Sequence, residues 1–227
     1  MKGNEKVGAV IAAAGASQRM AGVDKIFADL DGAPVLWHVV DTFERCKSID
    51  QVVIMVSQQN LEMGMRLLGE NRWPKVTGVY GGGARRQDSV IGGLARLTGC
   101  DWVVIHDGAR PLVTADLIER GLAAAAETGA AIAAVPVTDT VKVVAADMTV
   151  EGTPPRRSLW GVQTPQVFRF SILDQAYRNL AIEVSDDASA VERLGHKVKI
   201  YQGSYDNMKI TTPDDLAVAG VLWRKHG

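Results

Sequence analysis

Val7-Gly8-Ala9-Val10-Ile11-Ala12-Ala13-Ala14-Gly15-Ala16-Ser17-Gln18-Arg19-Met20, with Lys25 shortly after, decides the fold. Val7–Ala12 is a short apolar run with no polar alternation, as expected of a strand buried on both faces. It ends in tiny residues and a glycine, so a glycine loop follows it. The same unit recurs. Pro34–Cys46 reads as a helix with Pro34 in its first turn, where a missing N–H costs nothing. Gln51–Ser57 is a strand, Leu61–Gly69 a helix, Val76–Tyr80 a strand and Gln87–Leu97 a helix. Asp101–Ile105 is a strand, Thr114–Thr128 an Ala-rich helix and Ala130–Val135 a strand. Short apolar runs alternating with helices imply βαβ units. The fold class is therefore α/β: a Rossmann-like, mostly parallel sheet with helices on both faces.

From Val137 to Val162 the rhythm changes. Val141–Val144 is followed by the turn-prone Asp147–Gly152, then Thr153, Pro154, Pro155 and two arginines, the composition of a projecting β-hairpin arm. Alternation resumes with helices over Ser171–Leu180 and Asp187–Leu194 and a strand over Lys197–Tyr201. Thr212 caps the last helix, with Pro213 at its first position and Asp215 at the acid position of a capping box. No repeat, low-complexity segment or linker divides the chain. One domain over residues 1–227, with an arm at about 137–162, is expected. The last helix ends close to Gly227 and leaves no room for a further fused domain.

Composition narrows the classes of function. The 227 residues carry 25 Lys+Arg against 26 Asp+Glu, a formal net charge of −1 that argues against a general polyanion or nucleic-acid binder. A chain of this length buries roughly 70% of its unfolded surface, enough for a sizeable core. No apolar run reaches the ~18 residues needed to cross a membrane, since Gly121–Val137 is broken by Glu127, Thr128 and Pro136. Lys2 and Lys6 before Val7–Ala16 loosely imitate a leader peptide, but the stretch runs directly into Gln18, Arg19 and Met20. Cys46 and Cys100 are too few for a disulfide framework or a four-thiolate metal site. Both lie near the ends of apolar segments and read as buried, reduced thiols of a cytoplasmic protein.

Three segments carry chemistry. Ala12–Met20 with Lys25 ends a strand in residues small enough for backbone amides to approach phosphate oxygens, with Arg19 and Lys25 adding positive charge. It matches neither G-x-G-x-x-G nor the P-loop, and alone it could be a strand-to-helix turn with two solvated cations. Gly81-Gly82-Gly83 follows the next strand and precedes Arg85, Arg86, Asp88 and Ser89. They could form a tight turn that caps the Gln87 helix, but three adjacent glycines exceed what a cap needs and would permit close approach to a flat ligand such as a base. His106-Asp107-Gly108-Ala109-Arg110-Pro111 places an acid at a strand's carboxyl end beside an arginine. That suits a metal–phosphate site, or an Asp that merely caps its turn. His106 fits a packed or turn-bonding role. No Ser/His/Asp order or Cys–His pairing stands out, and the four histidines and two cysteines lack zinc-like spacing.

Six motifs in order carry a resemblance: Ala13-Ala14-Gly15…Arg19-Met20…Lys25, Gly81-Gly82…Arg86…Ser89, His106–Pro111, Thr138-Asp139-Thr140-Val141-Lys142, Gln163-Thr164-Pro165-Gln166, and Asp206-Asn207-Met208-Lys209-Ile210-Thr211. Across residues 7 to 222 the chain resembles the 2-C-methyl-D-erythritol 4-phosphate cytidylyltransferases of the non-mevalonate isoprenoid pathway. The resemblance implies a transfer of CMP that depends on Mg2+ or another divalent cation. The polyol phosphate attacks the α-phosphate of CTP and pyrophosphate leaves. It also implies roles. Arg19, Lys25 and Lys209 stabilise the reacting phosphates. Asp107 helps, directly or indirectly, to place the metal and the substrate hydroxyls. Ala13, Ala14, Gly82 and Ser89 hold cytosine and ribose, with Gly15, Gly81 and Gly108 at the same strand ends. Arg156, Thr140, Ser185 and Arg110 bind the second substrate. In the family Arg156 and Thr140 come from the arm of a neighbouring subunit, which implies a homodimer; Arg157, adjacent, competes for the assignment.

Two positions depart from the family pattern. Ser17 stands where a second glycine is usual, and Ser185 where a threonine is often found, keeping the hydroxyl and losing a methyl. A ribitol 5-phosphate cytidylyltransferase would share most of these motifs. A catalytically silent nucleotide-binding protein would have no use for Arg19, Lys25, Asp107 and Lys209 together.

Overall fold

Strand β1 (Val7–Ala13) runs through the middle of a seven-stranded sheet in a computed structural model that describes residues 5–15 and 24–226. After β1 come a small ribbon of β2 (Asp29–Leu30) and β3 (Ala33–Pro34), then α1 (Val35–Arg45), β4 (Gln51–Val56), α2 (Leu61–Glu70), β5 (Val76–Gly81) and α3 (Arg86–Leu94). Next are β6 (Trp102–Asp107), α4 (Ala115–Thr128), β7 (Ala130–Pro136), and a hairpin of β8 (Val143–Val144) and β9 (Val150–Gly152). The chain closes with β10 (Trp160–Arg169), α5 (Phe170–Arg178), α6 (Asp187–Arg193), β11 (Lys199–Gln202) and α7 (Pro213–His226). The large sheet has the order β11-β7-β10-β6-β1-β4-β5. Its neighbours pair in parallel except β10, which is antiparallel to both β6 and β7.

Period-two alternation distributes β1 between two cores, because successive strand side chains point to opposite faces. Ala9, Ile11 and Ala13 pack with Leu36 and Phe43 of α1, Leu67 of α2 and Ile118 of α4. Val10 packs on the other face with Val90 and Leu94 of α3, Leu173 of α5 and Val191 of α6. Phe43 and Phe168, one in each cluster, are fully buried, and burial of side chains this size contributes about 1.5–3 kcal/mol each. α7 sits apart, on a third cluster of Leu30, Val35, Leu112, Ile210 and Ala219. Its capping box forms: Thr212 Oγ1 accepts from Asp215 N–H at 3.2 Å, and Asp215 accepts from Thr212 N–H at 2.9 Å.

The structure corrects several boundaries. Pro34 ends β3, and α1 starts one residue later, at Val35. α3 covers Arg86–Leu94 rather than Gln87–Leu97, and β6 extends past Ile105 to carry His106 and Asp107 within the strand. β11 begins at Lys199, not Lys197. Cys46 is buried as expected, but Cys100 is only half-buried. β10 has no counterpart in the sequence-based reading. Its middle, Gln163-Thr164-Pro165-Gln166, is polar and holds a proline, which cannot donate to a ladder. The ladder accommodates this with a register shift between Val162 and Gln166. The arm therefore ends earlier than expected, since Trp160–Val162 pair with β7, and only β8 and β9 form a separate hairpin.

Candidate active site

β1 lies between β4 and β6, so the chain moves outward through β4 and β5 and then returns to the other side of β1. At such a switch point the connecting loops diverge and leave a crevice beyond the strands' carboxyl ends. A cavity of about 820 Å³ opens there, lined among others by Ala12–Gly15, Lys25, Gln58, Gly82, Gly83, Arg86, Ser89, Asp107 and Lys209.

One wall is shaped by missing side chains. A Cβ on Gly82 would collide with the Ala14 methyl and lie 2.5 Å from Ser89 Oγ. The Gly82 backbone therefore lies against the Ala14 methyl and the Ser89 side chain across the end of β4, a spacing that only glycine permits. Ser89 Oγ accepts from Gly83 N–H at 3.1 Å and so holds the glycine turn against α3. Gly108 packs more deeply: a Cβ there would sit 2.7 Å from that of Ala13. Gly108 and Gly81 shape the strand ends without lining the cavity.

Asp107 stands on the floor among three cations. Oδ1 meets Arg86 Nε at 3.1 Å, and Oδ2 meets Lys209 Nζ at 2.8 Å and Arg110 Nε at 3.7 Å. Burial alone would raise the carboxyl's pKa, but Arg86, Lys209 and Arg110 outweigh it and hold the group well below the usual carboxylate range. Lys209 is delivered by a pinned segment. Asn207, fully buried, donates from Nδ2 to Thr164 O at 2.8 Å, its own carbonyl accepts from Arg110 Nη1 at 2.7 Å, and Ile210 N–H donates to Ala109 O at 2.8 Å.

Beneath the floor runs an ordered chain of donors. Asp107 N–H donates to Thr164 Oγ1 at 3.0 Å, Thr164 lies 3.0 Å from His106 Nδ1, and His106 Nε2 lies 3.2 Å from Arg110 O. A carbonyl can only accept, so the proton sits on Nε2 and Thr164 O–H donates to Nδ1. Burial pushes the His106 pKa down to about 3, in keeping with this neutral tautomer. The hydroxyl–imidazole pair is not a nucleophile and base. Both residues are buried, Thr164 Oγ1 already accepts a backbone bond, and neither lines the cavity.

The other residues singled out in the sequence divide into groups. Ala13, Ala14, Gly15, Gly82, Ser89, Lys25, Asp107 and Lys209 come together on the cavity, and Arg110 touches it through Asp107. Arg156 and Thr140 do not reach the cavity of their own chain. Both are exposed on the arm, where Arg156 Nη1 donates to Thr138 O at 2.6 Å. Lys142, on the same arm, donates to Thr153 Oγ1 at 2.8 Å. Ser185 is exposed just before α6, its hydroxyl 3.3 Å from that of Ser189. Arg19 and Ser17 lie outside the described residues. Arg86, Thr164 and Asn207 carry no signal in the sequence beyond their motifs, yet they build the site. Asp187, fully buried against Arg86, carried no local signal.

Glycine strand ends, a cationic cavity at the switch point and an ionised carboxylate among the cations suit a nucleotidyltransferase, and the chain's likeness to known proteins places it in that class. Residues 7–225 match the 2-C-methyl-D-erythritol 4-phosphate cytidylyltransferase family, and the chain belongs to it. Relatives carrying that name include one from Dehalococcoides mccartyi, 51% identical over 222 residues that span 98% of both chains. Another, from Alkaliphilus oremlandii, is 42% identical over 96% of this chain and 95% of its own. The crystal structure of 4-diphosphocytidyl-2C-methyl-D-erythritol synthase from Anaerococcus prevotii superposes with a TM-score of 0.86 at 30% identity, covering 97% of this chain and 96% of that one.

Proposed function

We propose that the chain transfers CMP from CTP to 2-C-methyl-D-erythritol 4-phosphate, giving 4-CDP-2-C-methyl-D-erythritol and pyrophosphate in the non-mevalonate route to isoprenoid precursors. The observation that carries this is the convergence of Lys25, Lys209 and Asp107 on one cavity with the Ala14–Gly82 crevice. An oxygen of the methylerythritol phosphate attacks the α-phosphorus of CTP, and the bond to the bridging oxygen breaks as pyrophosphate departs. Both reactants arrive highly anionic, so positioning and charge neutralisation supply the catalysis and no enzyme nucleophile is needed. Lys25 and Lys209 neutralise the α-phosphate and the leaving pyrophosphate, together with Arg19. Backbone amides at Ala13–Gly15 and Gly82–Gly83, with Ser89, hold the ribose and cytosine.

Among the described residues no cluster of three or more His, Cys, Asp or Glu could cage a metal. Mg2+ usually takes one or two carboxylates and completes its shell with waters and phosphate oxygens. Asp107, kept ionised on the cavity floor and already facing cations with both oxygens, suits an ion held mainly by the triphosphate. When bound, the ion spreads the charge of the reacting phosphates.

Arg156 and Thr140, remote from the cavity of their own chain, fit a homodimer in which each arm completes the partner's site. Ser185 and Arg110 contribute to the polyol phosphate pocket. Among the described residues no helix is long and apolar enough to cross a membrane, and both cysteines are unpaired, in keeping with work in the cytoplasm. Pyrophosphate release from CTP and Mg2+ with each polyol phosphate tests the assignment. Methylerythritol phosphate should be turned over, and a clear preference for ribitol 5-phosphate would replace it.

A further inference from the structure

Arg86 faces two carboxylates from different elements. Its Nε donates to Asp107 Oδ1 at 3.1 Å, and its Nη1 lies 2.8 Å from Asp187 Oδ2 at the start of α6. Asp187 is completely buried, and its other oxygen accepts from the Tyr177 hydroxyl of α5. Oδ2 has no well-aligned hydrogen bond, so the guanidinium charge is what compensates it. A buried pair of this kind rarely adds net stability over an apolar replacement, because desolvation consumes the Coulomb gain. Its geometry points elsewhere.

The segment before α6 is gripped from the same side. Gln87, next to Arg86 and buried, accepts from Val184 N–H at 3.0 Å and donates to Ile182 O at 3.4 Å. Gln166 of β10 donates to Asp186 Oδ2 at 2.9 Å and accepts from Ala188 N–H at 3.1 Å. The first turn of α3 thus holds the 182–187 segment with one edge and the glycine turn of the cavity with the other, through Ser89.

We propose that Arg86 is a positioning residue whose guanidinium ties Asp107 at the end of β6 to Asp187 at the start of α6. The segment carrying Ser185 is thereby kept in register with the cavity floor. Arginine suits the task because its planar fork presents separate N–H groups to two carboxylates, whereas a lysine ammonium is a point charge that cannot span both in one plane. The consequence for the second substrate rests on the function proposed above.

Arg86→Lys and the milder Asp187→Asn test the bridge. Both should raise the half-saturating concentration of methylerythritol phosphate roughly tenfold or more, leaving the CTP dissociation constant within about threefold. Amide hydrogen exchange over residues 182–188 should accelerate while β1 and β4 remain protected. The double variant should be little worse than the worse single one, because both cut the same link. Unchanged exchange in 182–188, or equal loss of both substrates with exchange rising across the whole sheet, would overturn the bridge. Exchange needs no turnover: a wild type inactive on methylerythritol phosphate would overturn the proposed function, while the exchange comparison still decides the bridge.

Discussion

Lys209 Nζ lies 2.8 Å from Asp107 Oδ2, although one residue precedes the last helix and the other ends β6. The contact exists because Asn207 is bonded to Thr164 within β10 and Ile210 to Ala109 in the loop after β6, which fixes the chain on both sides of Lys209. A cation prepositioned at the cavity needs little reorganisation when negative charge develops there. Lys209→Ala and Lys25→Ala should therefore each lower kcat by about 10²-fold or more. Steady-state pyrophosphate release measures this; turnover within a few-fold of wild type would remove charge stabilisation from the mechanism.

Gly82→Ala places a methyl against Ala14 and Ser89 in the crevice. Strand ends cannot separate without disturbing β1 and β5, so the base loses room. CTP affinity should fall at least about tenfold, with thermal stability changed far less, as calorimetric titration and melting would show. An unchanged CTP dissociation constant would place the base elsewhere.

The parallel βαβ pattern was legible because β1, β4, β5 and β6 each lead on to a helix, and β7 is a further apolar run after α4. β10 was not, since Thr164 and Pro165 interrupt its pattern at the register shift, and its antiparallel placement depends on partners far away in sequence. The same limit applied to the site. Gly82 and Asp107 stood out through local chemistry, and Lys209 through the family resemblance. Thr164 looks like any threonine until it is seen between Asp107 N–H and His106 Nδ1. Asp187 read as part of a helix start, and only the fold sets it against Arg86.

His106 links this buried network to pH. Burial holds its folded-state pKa at about 3, against ~6.5 for an ordinary imidazole. The unfolded chain therefore gains a proton below about pH 6.5 that the folded chain refuses, and stability falls as pH falls through that window. By pH 5 the loss from this one site is about 2 kcal/mol. Urea unfolding of wild type and His106→Asn should show the wild-type advantage shrinking by about that much between pH 7.5 and pH 5. A pH-independent gap would mean that His106 titrates normally in the fold.

Exposed Arg156 on the arm leads to a complementation result. Arg156→Ala and Lys209→Ala variants should each be nearly inactive alone, and the proposed homodimer lets one repair the other. Co-expressed, they should form mixed dimers in which one site has both its own Lys209 and the partner's intact arm. Recovery of up to half the wild-type activity per mixed dimer is expected if the arm acts across the interface. No recovery in purified mixed dimers would return Arg156 to its own chain or remove it from the site.

The most direct measurement is a competition. The enzyme receives limiting CTP with Mg2+ and equal concentrations of 2-C-methyl-D-erythritol 4-phosphate and D-ribitol 5-phosphate, and the products are resolved by mass. The account predicts 4-CDP-2-C-methyl-D-erythritol as nearly the sole product, with one pyrophosphate per CTP consumed. CDP-ribitol as the main product, or CTP consumed without either CDP-polyol, would contradict it.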